Sequence, residues 1–225
     1  MNKIEVNIPE SLDDITVGQY QQFVRETEGM TSESVLQDKI ITIFCGITLP
    51  QLRELKINQV KDIGNRLEPI IAQFSDEHKF VNRFTLDGVE FGFIPNLETD
   101  ISYGENKDVS SYLGEGVKGS HKAMAVLYRP IVSTFNDTYS ISEYKVPNAH
   151  EDALKGMPVS VMLGANVFFW NLIRELLEHI PSYLKKEMGE ESYDQMIAKA
   201  STNTIGVDMM KYSALLKETL PSLMK

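Results

Sequence analysis

The chain has 225 residues, enough for one large domain or two small ones. Hydrophobic residues make up 42% of it and charged residues 24%, an ordinary globular composition that argues against extensive disorder. The formal net charge is −10, which argues against nucleic acid as the main partner because phosphate contacts need clustered Lys and Arg. The N-terminus carries no signal-peptide pattern, so a cytoplasmic protein is expected.

The first third of the chain is predicted to be mainly helical. It opens with a short strand at residues 4–8, where apolar and polar residues alternate. Thr16 and Gln19 then have the spacing of a capping box, which predicts the start of a helix. Pro69 lies inside a later helical pattern, so a kink or a break is expected there. A second helix is predicted from about Ser32, and two further helices are predicted to begin at the capping residues Thr48 and Asn58.

The middle of the chain changes character at Phe80. Residues 80–94 alternate around Asp87-Gly88, the strongest short-range signal for a β-hairpin. Residues 95–119 are polar and predict an ordered surface loop with a helical turn near residues 109–113. A helix is then predicted from Ser120 to Tyr128, stopped by Pro130, followed by a strand around residues 139–144 that can pair with the hairpin.

A long apolar stretch follows Pro158, and residues 157–173 carry no charge. A membrane span needs about 20 predominantly apolar residues, and this run is shorter and interrupted by polar side chains. It therefore predicts a central helix that other helices surround. Gly164 and Ala165 would let another backbone approach it closely. Amphipathic helices are predicted in the remainder of the chain, up to its C-terminus.

Three consecutive aromatic residues in this helix are candidates for an interaction surface. They cannot all point to the same side of a helix. Either the core wraps around them, or a partner protein covers one face, since exposed apolar surface of that size marks an interface. The candidates are Phe168, Phe169 and Trp170.

The predicted fold class is α+β, predominantly α-helical with a small antiparallel β-hairpin or sheet inserted. We expect a single domain over residues 1–225. It can be subdivided into a helical N-terminal part (1–78), a β-containing part (79–146) and a helical C-terminal part (147–225).

No motif in the sequence defines a catalytic, cofactor or metal site. The four histidines are scattered without the spacing of a zinc site, and there is no phosphate-binding loop or nucleophile elbow. Cys45 follows an apolar run, which predicts a buried structural thiol. No catalytic residues, cofactor or metal are therefore expected, and the protein is predicted not to be an enzyme.

The polar residues His121, Tyr128 and Arg129 stand out because they lie among apolar ones. In a helix, His121 and Tyr128 would share one face. Arg129 can bond the ends of neighbouring elements or pair with a carboxylate of the acidic stretch at residues 100–108. The group is interpreted as a buried polar network. The sharper alternative is a binding site.

Several stretches of the chain share a layout with known proteins: Ile8-Pro9, residues 14–20, residues 121–131, Met157-Pro158, Gly164-Ala165 and Phe168-Phe169. In this layout the chain resembles small tailed-bacteriophage proteins encoded among virion-assembly genes. The resemblance covers most of the chain, and none of its motifs defines a chemistry.

The resemblance implies a phage morphogenesis protein acting by protein–protein contact, foremost a tail assembly chaperone-like factor. An acidic chain with 10 methionines suits transient binding of apolar segments. One alternative is a structural neck, connector or tail ring component of the virion. Another is an enzyme with a site around His121, Tyr128 and Arg129. The expected partners are other virion proteins, with a homo-oligomer left open and neither nucleic acid nor membrane expected. The expected location is the host cell cytoplasm, or the virion for a structural component.

Overall fold

A computed structural model describes residues 4–75, 78–97 and 99–178, with the side chains of residues 75 and 169–178 excepted. The fold is α+β and mostly helical, with one small antiparallel sheet, as predicted. The helices predicted in the last part of the chain lie outside the described residues.

Four helices build the first part of the chain: α1 (Val17–Thr27), α2 (Glu33–Phe44), α3 (Leu49–Glu54) and α4 (Ile57–Ala72). The predicted capping box at the start of α1 is confirmed. The Gln19 amide N–H donates to the Thr16 hydroxyl, and the Thr16 amide N–H donates to the Gln19 side chain. The local sequence therefore predicts where α1 begins, and a backbone hydrogen bond from Val17 to the Met157 carbonyl adds a long-range contact there.

Two local predictions in this part are wrong. Residues 4–8 are not a strand, although their burial alternates, because Val6 and Ile8 pack against the core without joining a ladder. Helix α4 is preceded by Lys56 rather than Asn58, since the Lys56 amide N–H donates to the Gln59 side chain. Of the kink or break predicted at Pro69, the break is absent, because the helix continues to Ala72 with buried side chains on either side of the proline.

Removing the side-chain cap of α1 should destabilise the protein measurably. Thr16→Ala is expected to lower the free energy of unfolding by about 1 kcal/mol, because a first-turn amide loses its acceptor. Ser32→Ala is the matched control, since Ser32 precedes α2 without a side-chain capping bond. Urea unfolding of both variants tests this. Equal losses for the two variants would contradict the assignment.

The sheet contains four antiparallel strands in the order β1-β2-β3-β4: β1 (Arg83–Leu86), β2 (Val89–Phe93), β3 (Tyr128–Phe135) and β4 (Thr138–Ile141). The predicted hairpin is β1–β2, and both of its turn residues, Asp87 and Gly88, have positive φ angles. Strand β3 was not predicted. It pairs with β2 at residues 128–130 and with β4 farther along, so it joins the hairpin to the last strand.

Two helices connect the hairpin to β3: α5 (Tyr103–Gly114) and α6 (Ser120–Leu127). The sequence predicted a loop with one helical turn where α5 lies. The missed signal is the capping box formed by Ser102 and Glu105. Helix α6 ends at Leu127, and the next residue, Tyr128, already has an extended backbone in β3. Pro130 therefore lies inside a strand, three residues beyond the end of the helix.

The long helix α7 (Val159–Glu178) packs at the centre of the fold over its first two turns. Val159, Leu163 and Ala165 are fully buried, as predicted for a central packing helix. The predicted close approach at Gly164 is also present, where the carbonyl of Lys79 lies against the glycine. Among the described residues, no helix is both long enough and apolar enough to cross a membrane. One hydrophobic cluster joins residues of all three predicted parts of the chain.

Candidate interaction site

A buried ion pair joins α5 to the sheet. Strand β3 places Arg129 opposite Gly92 of β2, and the Arg129 Nη2 donates to the Glu105 Oε1 at 2.8 Å. Glu105 and Arg129 are 4% and 6% exposed. The other carboxylate oxygen of Glu105 accepts the amide N–H of Ser102 at 2.6 Å and so caps α5. The predicted pairing of Arg129 with a carboxylate of residues 100–108 is confirmed.

Burial disfavours the positive charge of Arg129, and the Glu105 carboxylate favours it. Burial lowers the pKa of the Arg129 guanidinium, while the Glu105 carboxylate raises it through its charge and hydrogen bond. An arginine remains protonated in proteins even so. Because desolvating two charges is costly, such a pair contributes little net stability but strongly fixes the position of the elements it joins.

A second polar contact fixes α5 nearby. The Tyr144 hydroxyl, just after β4, donates to the Asp108 Oδ2 at 2.6 Å. Burial raises the pKa of Tyr144, and the hydrogen bond and charge of Asp108 raise it further. Glu105 and Asp108 are three residues apart and face the same side of α5. Helix α5 is thus attached to β3 and to the segment after β4 through its carboxylates.

Tyr128 is held in the core by a hydrogen bond and by ring packing. Its hydroxyl donates to the Val81 carbonyl at 2.6 Å, and its ring meets Phe84 and Phe93 edge-on at 5.4 and 5.0 Å. Burial raises the pKa of the Tyr128 hydroxyl, which therefore remains protonated. The side chain belongs to the core beneath the β1–β2 hairpin.

His121 faces α1 instead. Its Nδ1 lies 2.9 Å from the Gln21 Nε2, and the ring is largely buried. The predicted shared helix face of His121 and Tyr128 is wrong, because Tyr128 lies in β3 after the end of α6. The three polar candidates have separate partners: His121 contacts α1, Tyr128 the segment before β1, and Arg129 helix α5.

Of the three predicted aromatic candidates, Phe168 is the one whose side chain the structure describes. Phe168 is partly buried, stacks on Phe80 at 4.4 Å between ring centroids and meets Phe93 edge-on at 5.8 Å. Its ring therefore contacts the core of this chain. The side chains of Phe169 and Trp170 lie outside the described residues.

A cavity of about 330 Å³ lies between the start of α7 and the segment before β1. Asp13, Lys79, Phe84 and Ser160 are among the residues lining it, whereas His121, Tyr128 and Arg129 are not. The Ser160 hydroxyl donates to the Asp13 carboxylate at its wall. The enzyme alternative requires a cleft at the three polar candidates, and this cavity is elsewhere.

Cys45 is buried as predicted. Burial raises the pKa of its thiol to about 11, so the sulfur is protonated near neutral pH and is a poor nucleophile. Within the ranges that the structure describes, no group of three or more His, Cys, Asp or Glu side chains is placed to hold a metal ion.

The most exposed apolar side chains of the sheet lie on a two-stranded projection, the β3–β4 arm (residues 131–141). Beyond Pro130, the ladder partner of β3 is β4. Val132 is 65% exposed and Phe135 is 77% exposed. Sequence reasoning missed this surface because β3 was not predicted. The available signal was the β-branched run before Phe135 and the turn residue Asn136, which has a positive φ angle.

The base of the β3–β4 arm is anchored on the hairpin by Tyr139. Its hydroxyl donates to the Phe93 carbonyl at 2.7 Å, and its ring passes over Gly92, which has no side chain to obstruct it. The Arg83 guanidinium lies 4.4 Å from the centre of that ring and donates to the Asp137 carbonyl. The arm is therefore held in a defined position while Val132 and Phe135 face solvent.

Comparison of the chain with models of protein families, with curated proteins and with solved structures gives no significant match.

Proposed function

We propose that this protein acts by protein–protein contact in virion morphogenesis and that the β3–β4 arm is its contact surface. The observation that carries the proposal is the exposure of Phe135 and Val132 on an anchored arm. An exposed aromatic side chain on a preorganised element is typical of an interface hot spot, because little conformational entropy is lost when a partner covers it.

The exposed apolar side chains of the β3–β4 arm define the chemistry of the partner. Charges of both signs surround them. Asp137 and Glu143 are exposed, and the Lys145 ammonium lies 4.0 Å from the Glu143 carboxylate. The Arg83 guanidinium lies against the arm. The complementary partner is therefore an apolar segment with polar flanks. The net charge of −10 disfavours a second copy of this chain. This chemistry supports a chaperone-like factor that covers apolar segments of unassembled virion proteins.

Two substitutions test the β3–β4 arm as the contact surface. Phe135→Ser and Val132→Ser are each expected to change the free energy of unfolding by less than about 0.5 kcal/mol, because both side chains are exposed. Each should abolish co-purification with a virion protein that binds the unmodified chain when the two are co-expressed.

Thr134→Ser is the matched control, since Thr134 is exposed on the same strand. It should retain binding. Undiminished binding by Phe135→Ser and Val132→Ser, in a protein as stable as the unmodified chain, would refute the arm as the contact surface.

Mass spectrometry of purified particles separates the two assembly roles. A chaperone-like factor should be present in infected cells and absent from mature virions. A neck, connector or tail ring component should be present at a fixed low copy number, which would replace the chaperone proposal with the structural one.

A further inference from the structure

The side-chain amide of Gln21, on α1, is surrounded by hydrogen-bond acceptors from the start of α6 and the turn before it. Its Nε2 lies 2.7 Å from the Val117 carbonyl oxygen, 3.0 Å from the Lys118 carbonyl oxygen and 2.9 Å from the His121 Nδ1. The Ser120 hydroxyl oxygen is 3.1 Å away. We call these contacts the Gln21–His121 junction. It joins α1 to residues 116–121.

These contacts determine which nitrogen of His121 carries the proton. A carbonyl oxygen only accepts, so the Gln21 group facing Val117 and Lys118 must be the NH2 group. That NH2 group also faces the His121 Nδ1. Its two hydrogens are shared among the surrounding acceptors, and an N–H at Nδ1 would point at this donor group. The geometry therefore fits a neutral His121 with its proton on Nε2.

A second proton on His121 is incompatible with the junction. Protonated histidine carries N–H on both ring nitrogens, so Nδ1–H would face the NH2 group of Gln21. Rotating the Gln21 amide would not resolve the conflict, because its oxygen would then face the carbonyl oxygens of Val117 and Lys118. The first arrangement places two hydrogen-bond donors against each other, and the second places two acceptors against each other.

We propose that the Gln21–His121 junction is a pH-sensitive contact, which opens when His121 is protonated and releases α1 from residues 116–121.

The charges around His121 set the direction of its titration. Burial lowers the pKa of His121 below its ordinary value of 6.5, and the nearby Lys155 and Lys122 lower it further. Asp152 and Glu115 act in the opposite direction and do not compensate. Helix α1 contributes the uncharged amide of Gln21 to this environment.

The sign of the pH effect follows from this shift. Below the ordinary histidine pKa, the unfolded chain binds a proton that the closed junction excludes. The stability contributed by the junction is therefore complete above about pH 6.5, the ordinary value, and is lost as the pH falls through the lowered pKa of His121.

Hydrogen exchange of the full chain tests the junction. On going from about pH 7.5 to about pH 5.5, the amides of α1 and of residues 116–121 should lose protection, after correction for the intrinsic rate. At about pH 5.5 the loss should be at most about tenfold, because that pH lies one unit below the ordinary histidine pKa of 6.5. An NMR titration of the His121 ring should show a midpoint below that of a histidine in an unfolded peptide.

Three variants separate a proton-sensitive contact from a merely structural one. His121→Gln keeps a neutral acceptor facing Gln21 and should remove the pH-dependent loss of protection. His150→Gln removes another histidine, which packs against Phe91, and should retain it. Gln21→Leu removes the NH2 group that opposes a proton on Nδ1 and should raise the midpoint of His121.

Two results would overturn the proposal. One is equal protection of α1 at the two pH values in the unmodified chain. The other is a loss of protection in His121→Gln as large as in the unmodified chain. Should His121→Gln fail to fold, an unchanged midpoint of His121 in Gln21→Leu would overturn it as well.

Discussion

Arg129→Ala is expected to lower the free energy of unfolding by about 3 kcal/mol or more, because it leaves the Glu105 carboxylate charged and buried without its partner. For a chain of this length the corresponding fall in Tm is roughly 6–12 °C. Differential scanning calorimetry measures it. A Tm within about 1 °C of the unmodified protein would contradict the buried pair, since 1 kcal/mol corresponds to about 2–4 °C.

The double variant Arg129→Met, Glu105→Leu distinguishes the stability contributed by the ion pair from the cost of leaving the Glu105 carboxylate buried without its partner. Because apolar replacement of both buried charges also removes the desolvation cost, the double variant should recover much of the stability lost in Arg129→Ala. Some loss should remain, since Glu105 also caps α5 through the Ser102 amide. A double variant less stable than Arg129→Ala would show that the pair itself is strongly stabilising.

Gly164→Ala is expected to lower the free energy of unfolding by about 2 kcal/mol, within the range of core overpacking. The added methyl group would meet the carbonyl of Lys79, which is backbone and cannot rotate away as a flexible side chain can. This cost should exceed the gain of up to about 1 kcal/mol that alanine brings to a helix interior. Chemical denaturation measures the difference.

Gly104→Ala is the control for this substitution. Gly104 lies in the first turn of α5, where the nearest atom to an added methyl group is the Ser102 Oγ at 4.0 Å. The variant should be as stable as the unmodified protein or slightly more stable. If Gly164→Ala were equally well tolerated, Gly164 of α7 would not be in close contact with the carbonyl of Lys79.

The parts of the fold that the sequence predicted correctly depend on interactions between close neighbours in the chain. The capping box of Thr16 and Gln19 and the turn at Asp87-Gly88 each involve residues within three positions of one another. The burial of α7 was also predictable, because an apolar run too short for a membrane must be covered by protein.

The missed elements carry local signals, such as the capping box of Ser102 and Glu105, that other features of the sequence outweigh. Helix α5 has one fully buried apolar side chain, Val109, and is attached instead through Glu105 and Asp108, so its apolar periodicity is weak. Strand β3 follows α6 without a loop, and Pro130 predicted the end of a helix rather than a position inside a strand. Which carboxylate meets Arg129 depends on how α5 packs on the sheet, which no local pattern encodes.

The contact between Gly92 and Tyr139 has a consequence for related sequences. A side chain at position 92 would occupy the space through which the Tyr139 ring passes, so a larger residue is tolerable only when position 139 loses its ring. The two positions, 47 residues apart, should therefore vary together as homologous sequences accumulate. Lineages that keep glycine at 92 should keep an aromatic residue at 139, and with it the orientation of the β3–β4 arm.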